Sequence, residues 1–364
     1  MEMVCFINGR FLSQKITGVQ RYALELLYAW DRLLETGDKN FPYIKPTILA
    51  PSDARTDVLF NNINIKRVGK LKGHLWEQLE LPLFSGSKFL LNLCNTAPVV
   101  KRNQFITIHD ASIYSTPATY SYLFKTWYKL IYNIAGRVSK RVITVSNFSK
   151  SELIKYCKLN PDRISVTYLS GEHFKSISAE DLTNNALNST SYIFAVSSMN
   201  PNKNFTAILK ALEKLEEKVN VRAVIAGGVN PKVFKGTSDL KVSDSIEHLG
   251  YVTDGQLKTL FQNALCFIFP SYYEGFGLPP LEAMECGCPV IVSDRASLPE
   301  ICGDSVLYFN PDKPEEIANH ILRLVEDEKL VEKYRDKGKL HASQYTWKLC
   351  AIQTLKLLEE SLTE

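Results

Sequence analysis

The chain has 364 residues, of which 45% are hydrophobic and 23% are charged. This length predicts two domains, and this composition excludes a disordered or fibrous protein. The net charge of +4 conceals an asymmetry, because residues 1–175 carry 24 Lys and Arg against 13 Asp and Glu, and residues 176–364 carry 19 against 26. A basic first half favours an anionic partner such as phosphates, a membrane surface or nucleic acid.

Short β-rich runs alternate with helical stretches in the first 175 residues, which predicts an N-terminal doubly wound domain over 1–175. The runs are apolar on both faces, as buried parallel strands are. The predicted strands are Met3–Asn8, Thr47–Ala50, Phe89–Leu93, Phe105–His109, Val142–Val145 and Ile164–Tyr168. Predicted helices include Val19–Leu34 and Ser149–Cys157, the latter with Ser149 as its N-cap and Glu152 three residues later.

A polar linker is predicted over residues 176–191 and a second domain of the same kind over 192–346. Its predicted strands are Tyr192–Val196, Arg222–Ala226, Ile246–Leu249, Cys266–Phe269, Pro289–Val292 and Val306–Phe309. Residues 347–364 contain a final amphipathic helix, which we expect to pack back toward the N-terminal domain. The predicted class is α/β, with two doubly wound Rossmann-like domains whose strand ends face a central cleft.

The segment Glu274-Gly275-Phe276-Gly277-Leu278 follows a predicted buried strand, and Pro279-Pro280-Leu281-Glu282 begins a predicted helix. A strand, a glycine-bearing loop and a helix N-terminus together favour an anion, here a diphosphate. In the first helical turn, Glu282 can accept the hydroxyl protons of a ribose, and Glu274 can do the same for a hexose. A Glu-x7-Glu pattern alone is weak evidence for a donor site, because loops of this kind also connect the strand and the helix of ordinary βα units.

In this setting the segment resembles glycosyltransferase family 4, whose members are retaining enzymes of the GT-B fold. Pro289–Asp294, Ser297–Asp304 and Tyr308–Pro311 also resemble the family. The resemblance implies a nucleotide-sugar donor that is held by Phe276, Gly277, Leu278 and Glu282, with Glu274 at the sugar.

The segment Val196–Asn204 is similar to a second family motif, in which a lysine binds the donor diphosphate. Lys203 takes that position here. Many members carry an arginine just upstream, where this chain has Ser197 and Ser198. We therefore expect Ser198, through its hydroxyl or its backbone, to contact the donor in place of a second positive charge.

In the first half, Ile16–Tyr22 looks like the loop in which family glycines face the donor phosphates and the acceptor, which implies that role for Gly18. Arg21 either holds an acceptor phosphate or forms a salt bridge along its helix. His109 ends a predicted strand at the position of a family histidine that approaches the donor sugar, although a lone histidine is more often structural. Asp110 either orients His109 or lies on the acceptor side.

No Asp-x-Asp occurs in the chain, so neither a metal nor any other cofactor is expected. The leaving diphosphate would then be neutralised by Lys203 and by backbone amides. The catalytic candidates are His109, Lys203 and Glu274. The resemblance implies retention of anomeric configuration by front-face attack, with Glu274 stabilising charge rather than acting as a nucleophile.

Residues 121–141 interleave aromatic residues with Lys125, Lys129, Arg137, Lys140 and Arg141. This pattern predicts either docking on an anionic membrane to reach a lipid-linked sugar or a core helix with solvated lysines. The eight dispersed cysteines, the lack of a signal-peptide pattern and the lack of a long apolar run favour a cytoplasmic protein that is either soluble or peripheral to the inner face of the membrane.

By resemblance to bacterial polysaccharide mannosyltransferases, we expect transfer of mannose from GDP-mannose to a glycan or lipid-linked acceptor in surface polysaccharide (O-antigen or capsule) synthesis. A UDP-hexose donor is the alternative, and a sugar-nucleotide-binding module without catalysis is a third interpretation. Other chemistries on the same scaffold, such as inverting transfer or epimerisation, lack this Glu-x7-Glu context. No nucleic acid partner is expected, because no recognition motif accompanies the positive charge.

Overall fold

The computed structural model describes residues 5–37, 42–116, 120–182, 191–197, 200–216, 218–228 and 245–363. The chain divides into two compact units, the first comprising 1–169 and 347–364 and the second comprising 170–346. The first unit thus ends before the predicted boundary at residue 175. Residues that follow Leu169 contact the second unit, since Gly171 lies against Leu281 and Glu180 N donates to Gly255 O. Residues 183–190 of the predicted linker lie outside the described residues.

The strands of the first unit are β1 Cys5–Asn8, β2 Pro46–Ala50, β3 Asn64–Arg67, β4 Phe89–Asn92, β5 Gln104–Thr107, β6 Arg141–Thr144 and β7 Ile164–Val166. Within the described residues they form one parallel sheet of seven strands in the order β3-β2-β1-β4-β5-β6-β7. Strands β4 and β5 are buried throughout, as expected for a sheet covered on both faces.

Strand β3 is absent from the predicted strands, and its polar residues are mostly exposed. It is the edge strand beside β2, and edge strands often carry charged side chains, which disfavour pairing with another chain. The predicted strand Phe105–His109 is too long, because β5 ends at Thr107. His109 therefore lies in the loop just beyond the sheet.

The helices of the first unit before residue 170 are α1 Gly18–Thr36, α2 Gly73–Leu75, α3 Leu81–Ser85, α4 Ser112–Ser115, α5 Tyr122–Val138 and α6 Asn147–Cys157. A π-helical turn, Trp76–Glu80, joins α2 to α3. The prediction of Ser149 as an N-cap is wrong, because α6 begins earlier and the Ser146 hydroxyl accepts from Ser149 N over 2.9 Å.

The second unit contains β8 Tyr192–Ser197, β9 Arg222–Gly227, β10 Ile246–Gly250, β11 Cys266–Phe269, β12 Val290–Ser293 and β13 Leu307–Phe309. Its helices are α7 His173–Ser176, α8 Phe205–Glu213, α9 Asp254–Asn263, α10 Leu278–Glu285, α11 Leu298–Cys302, α12 Pro314–Glu326 and α13 Glu328–Ala342. The described strands are parallel, in the order β10-β9-β8-β11-β12-β13. The apolar stripe of α8 packs in a core with α12 and the sheet.

The last helix, α14 Trp347–Thr363, belongs to the first unit, where the Trp347 ring lies 6.3 Å from the Tyr22 ring on α1. Near its end, Ser361 O accepts from Lys140 Nζ over 2.9 Å. Residues 347–363 thus return the chain to the first unit. No helix within the described ranges is both long and apolar enough to cross a bilayer.

Each sheet has a switch point, where the chain stops adding strands on one side and continues on the other. The switch lies between β1 and β4 in the first sheet and between β8 and β11 in the second. Ligands of doubly wound sheets bind outside the carboxyl ends of the strands at this point. The predicted α/β class with two doubly wound domains is confirmed, and the loops after β1, β4, β8 and β11 are where functional residues are expected.

Candidate functional site

Two loops flank the switch point of the second sheet, and each carries a charged residue. The turn Pro201–Lys203 follows β8, and the loop with Glu274 follows β11. Lys203 Nζ lies 2.6 Å from Glu274 Oε1 and 4.8 Å from the centroid of the Phe269 ring. The residues predicted for the diphosphate and for the sugar therefore form an ion pair with each other.

Hydrogen bonds between the two loops hold the loops side by side. Tyr272 N donates to Asn202 O over 2.8 Å, and Ser271 Oγ donates to the same carbonyl over 3.2 Å. Asn202 N in turn donates to Asn200 Oδ1 over 3.0 Å. These bonds fix the backbone just before both charged residues and so keep the two side chains within reach of each other.

The start of α10 is shaped by Gly277, which has a φ of 109°. A Cβ at this position would lie 2.8 Å from Leu298 Cδ2, so both the backbone conformation and the packing favour glycine. The Ser297 hydroxyl contacts Glu274 O and Phe276 O at 2.9 and 2.7 Å, which fixes the loop before the helix.

The first turn of α10 contains Pro279 and Pro280, which have no N–H group. The amides of Gly277 and Leu278 are therefore the donors that remain for an anion at this helix end. The side chains of Phe276 and Leu278 are buried. Of the predicted contacts, those of Phe276 and Leu278 can thus be made only by the backbone.

Glu282 is the fifth residue of α10, so the prediction that it lies in the first turn is wrong. The helix begins at Leu278, one residue earlier than expected. Glu282 Oε1 lies 3.3 Å from His173 Nε2, and both side chains are nearly buried. This histidine was not predicted as a site residue, because nothing in the sequence joins α7 to α10.

Gly171 lies in the chain segment that brings His173 to Glu282. A Cβ on Gly171 would lie 2.7 Å from Leu281 O and 2.9 Å from Glu282 N. Backbone atoms of a helix cannot move aside cheaply, so only glycine fits this contact. Gly171 therefore allows α7 to sit directly against the turn of α10 that carries Glu282.

At the switch point of the first sheet, an arginine follows β1 and is buried with a glutamate from the π-helical turn. Arg10 Nε lies 3.0 Å from Glu77 Oε1, and Arg10 Nη2 donates to Thr96 Oγ1 over 2.7 Å. Glu77 Oε1 also accepts from Asn8 Nδ2 and from Thr96 Oγ1, both at 2.8 Å. His74 Nδ1 lies 3.3 Å from Glu77 Oε2.

The Glu77 carboxylate is ionised at neutral pH despite its burial. Burial by itself would raise its pKa, but the Arg10 guanidinium and hydrogen bonds from His74, Asn8 and Thr96 outweigh burial and hold the pKa of Glu77 at about 2. π-Helical turns are often found at functional sites. Neither Arg10 nor Glu77 was predicted, because their partnership joins residues 67 positions apart.

A pocket of about 250 Å³ opens beside Arg10. We call it the tyrosine pocket, and its polar lining includes Arg10, Asn95, Asp110, Tyr120, Tyr128 and Tyr132. The loops after β1, β4 and β5 contribute to it, together with one face of α5. Asp110, predicted as an acceptor-side residue or as a partner of His109, lines this pocket, and its Oδ1 accepts from Ser112 N over 2.8 Å.

His109 is buried just beyond the end of β5. Its Nε2 lies 3.1 Å from Leu93 O, its backbone N donates to Asn95 Oδ1 over 2.8 Å, and the Tyr22 ring packs against it edge-on at 4.8 Å. Leu93 O thus orients the imidazole, rather than the predicted Asp110. Burial lowers the pKa of His109 to about 4, although the bond to Leu93 O opposes this shift.

The other predicted residues of the first half lie at the start of α1. No atom lies within 4 Å of a Cβ built on Gly18, so the folded chain itself leaves space beside this glycine. Arg21 Nη1 lies 3.8 Å from Glu25 Oε1, which is the helical salt bridge predicted as one of its two roles. Ser198 lies outside the described residues.

The two groups of residues suit different chemistry. The group on the second unit combines a cation, two carboxylates and helix-end amides, which suits an anionic ligand that also carries hydroxyl groups. The tyrosine pocket presents hydroxyl, amide and carboxylate groups. In the described part of the chain, no cluster of three or more His, Cys, Asp and Glu side chains is placed to hold a metal ion.

Known proteins resemble this chain over most of its length. The family model of the glycosyl transferases group 1 matches residues 179–341. O-antigen chain mannosyltransferase B of Escherichia coli is 33% identical over 269 residues, which cover 68% of this chain and 68% of that relative. O-antigen chain mannosyltransferase RfbU of Salmonella typhimurium is 30% identical over 231 residues, covering 63% of this chain and 62% of that relative.

The fold is also similar to solved structures. HepE of Anabaena, crystallised in complex with UDP and glucose, matches with a TM-score of 0.75 and 16% identity over 99% of this chain and 100% of HepE. Such structures have the GT-B fold, and at this identity the likeness concerns the fold alone.

Replacing Glu77 by Gln is expected to lower the free energy of unfolding of the first unit by about 3 to 5 kcal/mol, because the Arg10 guanidinium then stays buried without a counter-ion. All four tryptophans, Trp30, Trp76, Trp127 and Trp347, belong to this unit, so their fluorescence in a urea titration follows it. The control is Asp57→Asn, which removes an exposed partner of Arg55 and should change the free energy by less than about 0.5 kcal/mol.

The difference in stability between the wild type and Glu77→Gln is expected to depend on pH. The folded-state pKa of Glu77 is lowered from 4.5 to about 2, so its stabilisation is present above pH 4.5 and is lost as the pH falls toward 2. The difference between wild type and Glu77→Gln should therefore shrink across that range. A difference that stays constant down to about pH 2 would contradict an ionised, paired Glu77.

His109 is expected to stay neutral down to about pH 4, because its burial opposes the charged form. Proton NMR of the six histidines, with His109→Asn to assign its signal, measures the midpoint. Since the folded pKa lies below the ordinary value of 6.5, neutral His109 stabilises the fold above pH 6.5, and this contribution is lost as the pH falls toward 4. A midpoint near 6.5 would show that the imidazole is solvated instead.

Proposed function

Because this chain belongs to the glycosyl transferases group 1 family and is a glycosyltransferase of GT-B fold, we propose that it transfers mannose from GDP-mannose. The acceptor is a glycan or lipid-linked oligosaccharide in bacterial surface polysaccharide synthesis. The observation that carries this proposal is the Lys203–Glu274 pair at the switch point of the second sheet. The two relatives named as O-antigen chain mannosyltransferases support mannose as the sugar.

In this proposal the second unit binds the donor. Lys203 and the amides of Gly277 and Leu278 contact the diphosphate, and Ser198 is a further donor-binding residue. Glu282, oriented by His173, accepts the ribose hydroxyls. Glu274 contacts the hexose, where its carboxylate can stabilise positive charge that develops at the anomeric carbon.

The reaction breaks the bond between the anomeric carbon and the diphosphate oxygen and forms a bond to an acceptor hydroxyl oxygen. In front-face attack, the leaving phosphate oxygen takes the proton of that hydroxyl, and the anomeric configuration is retained. Lys203, the two amides and the dipole of α10 balance the charge of the leaving group. We propose that this set acts without a metal ion or another cofactor.

The roles of the first-half residues are proposals of the same kind. Gly18 leaves space for a ligand at the start of α1, and neutral His109 can donate or accept a hydrogen bond near the transferred sugar. A UDP-hexose is the second candidate donor, and the UDP complex of HepE is the observation that favours it. A non-catalytic sugar-nucleotide-binding module is the third candidate.

Replacing Glu274 by Ala is expected to abolish transfer, and Lys203→Met should lower kcat about 100- to 1,000-fold, because the leaving diphosphate loses its nearest cation. Both effects are measured as the transfer of labelled sugar to isolated acceptor lipids and glycans in the presence of EDTA. GDP-mannose and UDP-glucose are the donors. Circular dichroism verifies the fold, and NMR of the product gives its anomeric configuration.

The matched control is Asp304→Ala, which removes the exposed partner of Lys337 in the same unit and should leave transfer unchanged. Full transfer by Glu274→Ala would refute its role at the sugar. Donor binding without any transfer by the wild type would favour the non-catalytic module. Loss of activity in EDTA would refute metal independence.

We also propose that the first unit docks on the inner face of an anionic membrane. Helix α5 buries Ile131 and Ala135 in the core, while Tyr122 and Leu123 near its start are 77% and 80% exposed. The core-helix alternative thus accounts for the buried part of α5, and in this proposal its exposed start is the part that meets the membrane. Lys125 and Lys129 follow the exposed part, where they can meet lipid phosphates.

A second apolar stripe lies on the helical segment 73–85. Leu75, Leu79 and Leu83 are spaced by four residues and are all more than half exposed, so they share one helix face. The His74 ring lies 5.4 Å from the Trp127 ring of α5, which makes the two helices neighbours. Exposed apolar residues beside lysines are typical of interfacial helices.

Wild-type protein is expected to co-sediment with phosphatidylglycerol vesicles, less so at high salt, and Leu79→Glu/Leu83→Glu should weaken binding at least about tenfold, since one buried CH₂ group contributes about 0.8 kcal/mol. Leu340→Glu, at an exposed leucine of the second unit, is the control. No binding of the wild type to anionic vesicles would remove the membrane proposal.

A further inference from the structure

The tyrosine pocket lies at the carboxyl edge of the first sheet, next to the switch point between β1 and β4. Its volume is about 250 Å³, below the roughly 300 to 1,000 Å³ of sites for drug-sized ligands. A single sugar ring fits such a volume better than a nucleotide does. Lys203 and residues 274–282, which are proposed for the donor nucleotide, belong to the other unit, whereas Gly18 and His109 belong to this one.

The charges around the tyrosine pocket disfavour an anionic ligand. Among the described residues that line it, Arg10 is the only cation and Asp110 is the only anion. Arg10 is already paired with buried Glu77 at 3.0 Å, so its charge is balanced within the wall and the Asp110 carboxylate is the charge that remains in the lining. A phosphate here would meet a net negative charge, whereas an uncharged ligand would not.

The polar groups of the tyrosine pocket match a ligand with several hydroxyl groups. Tyr120 OH lies 2.8 Å from Ser112 Oγ, and Ser112 N holds the Asp110 carboxylate by a hydrogen bond. Burial, together with the nearby Asp110 carboxylate, raises the pKa of Tyr132 well above its usual value, so its hydroxyl keeps its proton. Phenol hydroxyls that both donate and accept, beside a carboxylate that accepts, complement the hydroxyls of a sugar.

The aromatic wall of the pocket is fixed before any ligand binds. Phe124 stacks between Tyr120 and Tyr128, with ring centroids 5.2 and 4.1 Å apart. Phe124, Tyr128 and Tyr132 are spaced by four residues and share one face of α5. Because the stacked rings already restrict each other, little side-chain freedom is lost on binding, and the wall offers apolar surface to the C–H groups of a sugar.

We propose that the tyrosine pocket binds one uncharged sugar ring of the acceptor, and that Asp110 and Tyr132 select it through its hydroxyl groups. The proposal rests on the glycosyl transfer proposed above. It assigns the acceptor phosphate of a lipid-linked substrate, where there is one, to a place outside this pocket. It also agrees with the pairing of Arg21 to Glu25, which gives that arginine an anionic partner within the chain.

Binding is tested without a donor by saturation-transfer NMR on the whole protein. Methyl α-mannoside and methyl α-glucoside are the uncharged probes, and mannose 1-phosphate and glucose 1-phosphate are their charged counterparts. At least one uncharged probe should bind, more tightly than its phosphate. Asp110→Asn should weaken it at least about tenfold and Tyr132→Phe about fivefold, because a hydrogen bond to a charged group contributes more than one between neutral groups.

The control is Tyr43→Phe, at an exposed tyrosine of the same unit that is not part of the pocket. Tighter binding of the sugar phosphates, binding of no uncharged probe, or unchanged binding by both variants would overturn the proposal. Using two variants guards against a local effect of Asp110→Asn on the turn at Ser112.

A kinetic measurement separates this proposal from the proposed function. Asp110→Asn should raise the KM for the acceptor about tenfold, and the control Tyr43→Phe should leave both that KM and the hydrolysis of the donor in water unchanged. If the wild type neither hydrolyses nor transfers from GDP-mannose or UDP-glucose, the proposed function fails, while the NMR result still decides the pocket. If the wild type transfers and neither variant changes the acceptor KM, the pocket proposal alone fails.

Discussion

The reversal of strand order in each parallel sheet is the constraint on which the rest of the molecule depends. All strands of one sheet end at the same edge, and at the switch point the helices that follow the two central strands lie on opposite faces of the sheet. This leaves a crevice between the loops after β1 and β4 in one unit and between those after β8 and β11 in the other. Arg10 and Lys203 each lie just beyond such a strand end.

Both crevices hold a cation whose partner is supplied by a distant part of the chain. Arg10 is buried with Glu77 from the π-helical turn, and Lys203 is paired with Glu274 from the loop after β11. The two ion pairs have different roles because they are buried to different extents. The Arg10–Glu77 pair is almost inaccessible and acts as part of the wall, whereas Lys203 and Glu274 are partly exposed and can exchange partners.

The sequence predicted the parts of the fold that rest on local patterns. Apolar runs identified the central strands, and the order of strand, glycine loop and helix identified α10. Polar β3 was missed because an edge strand need not be apolar, and the N-cap of α6 was misjudged because Ser146 and Ser149 are equally good caps by type. The family resemblance assigns Lys203 and Glu274 to one donor site, and the structure places the two side chains 2.6 Å apart.

Contacts between segments far apart in the chain could not be predicted from residue types. His173 and Glu282 meet because Gly171 allows α7 to reach the backbone of α10, and a single glycine before a short helix carries no such signal. In the sequence, nothing distinguishes Glu77 from a polar residue of an ordinary amphipathic helix. Its role depends on Asn8, Arg10 and Thr96, which reach it only after the sheet has formed.

The ion pair of Lys203 with Glu274 bears on the end of the catalytic cycle as well as on its chemistry. In the proposed binding mode, an intact nucleotide-sugar offers a phosphate to Lys203 and a hydroxylated ring to Glu274 together, so both members gain a new partner. The spent nucleotide offers only the phosphate. Glu274 then competes with that phosphate for Lys203, which favours product release and limits inhibition by free nucleotide.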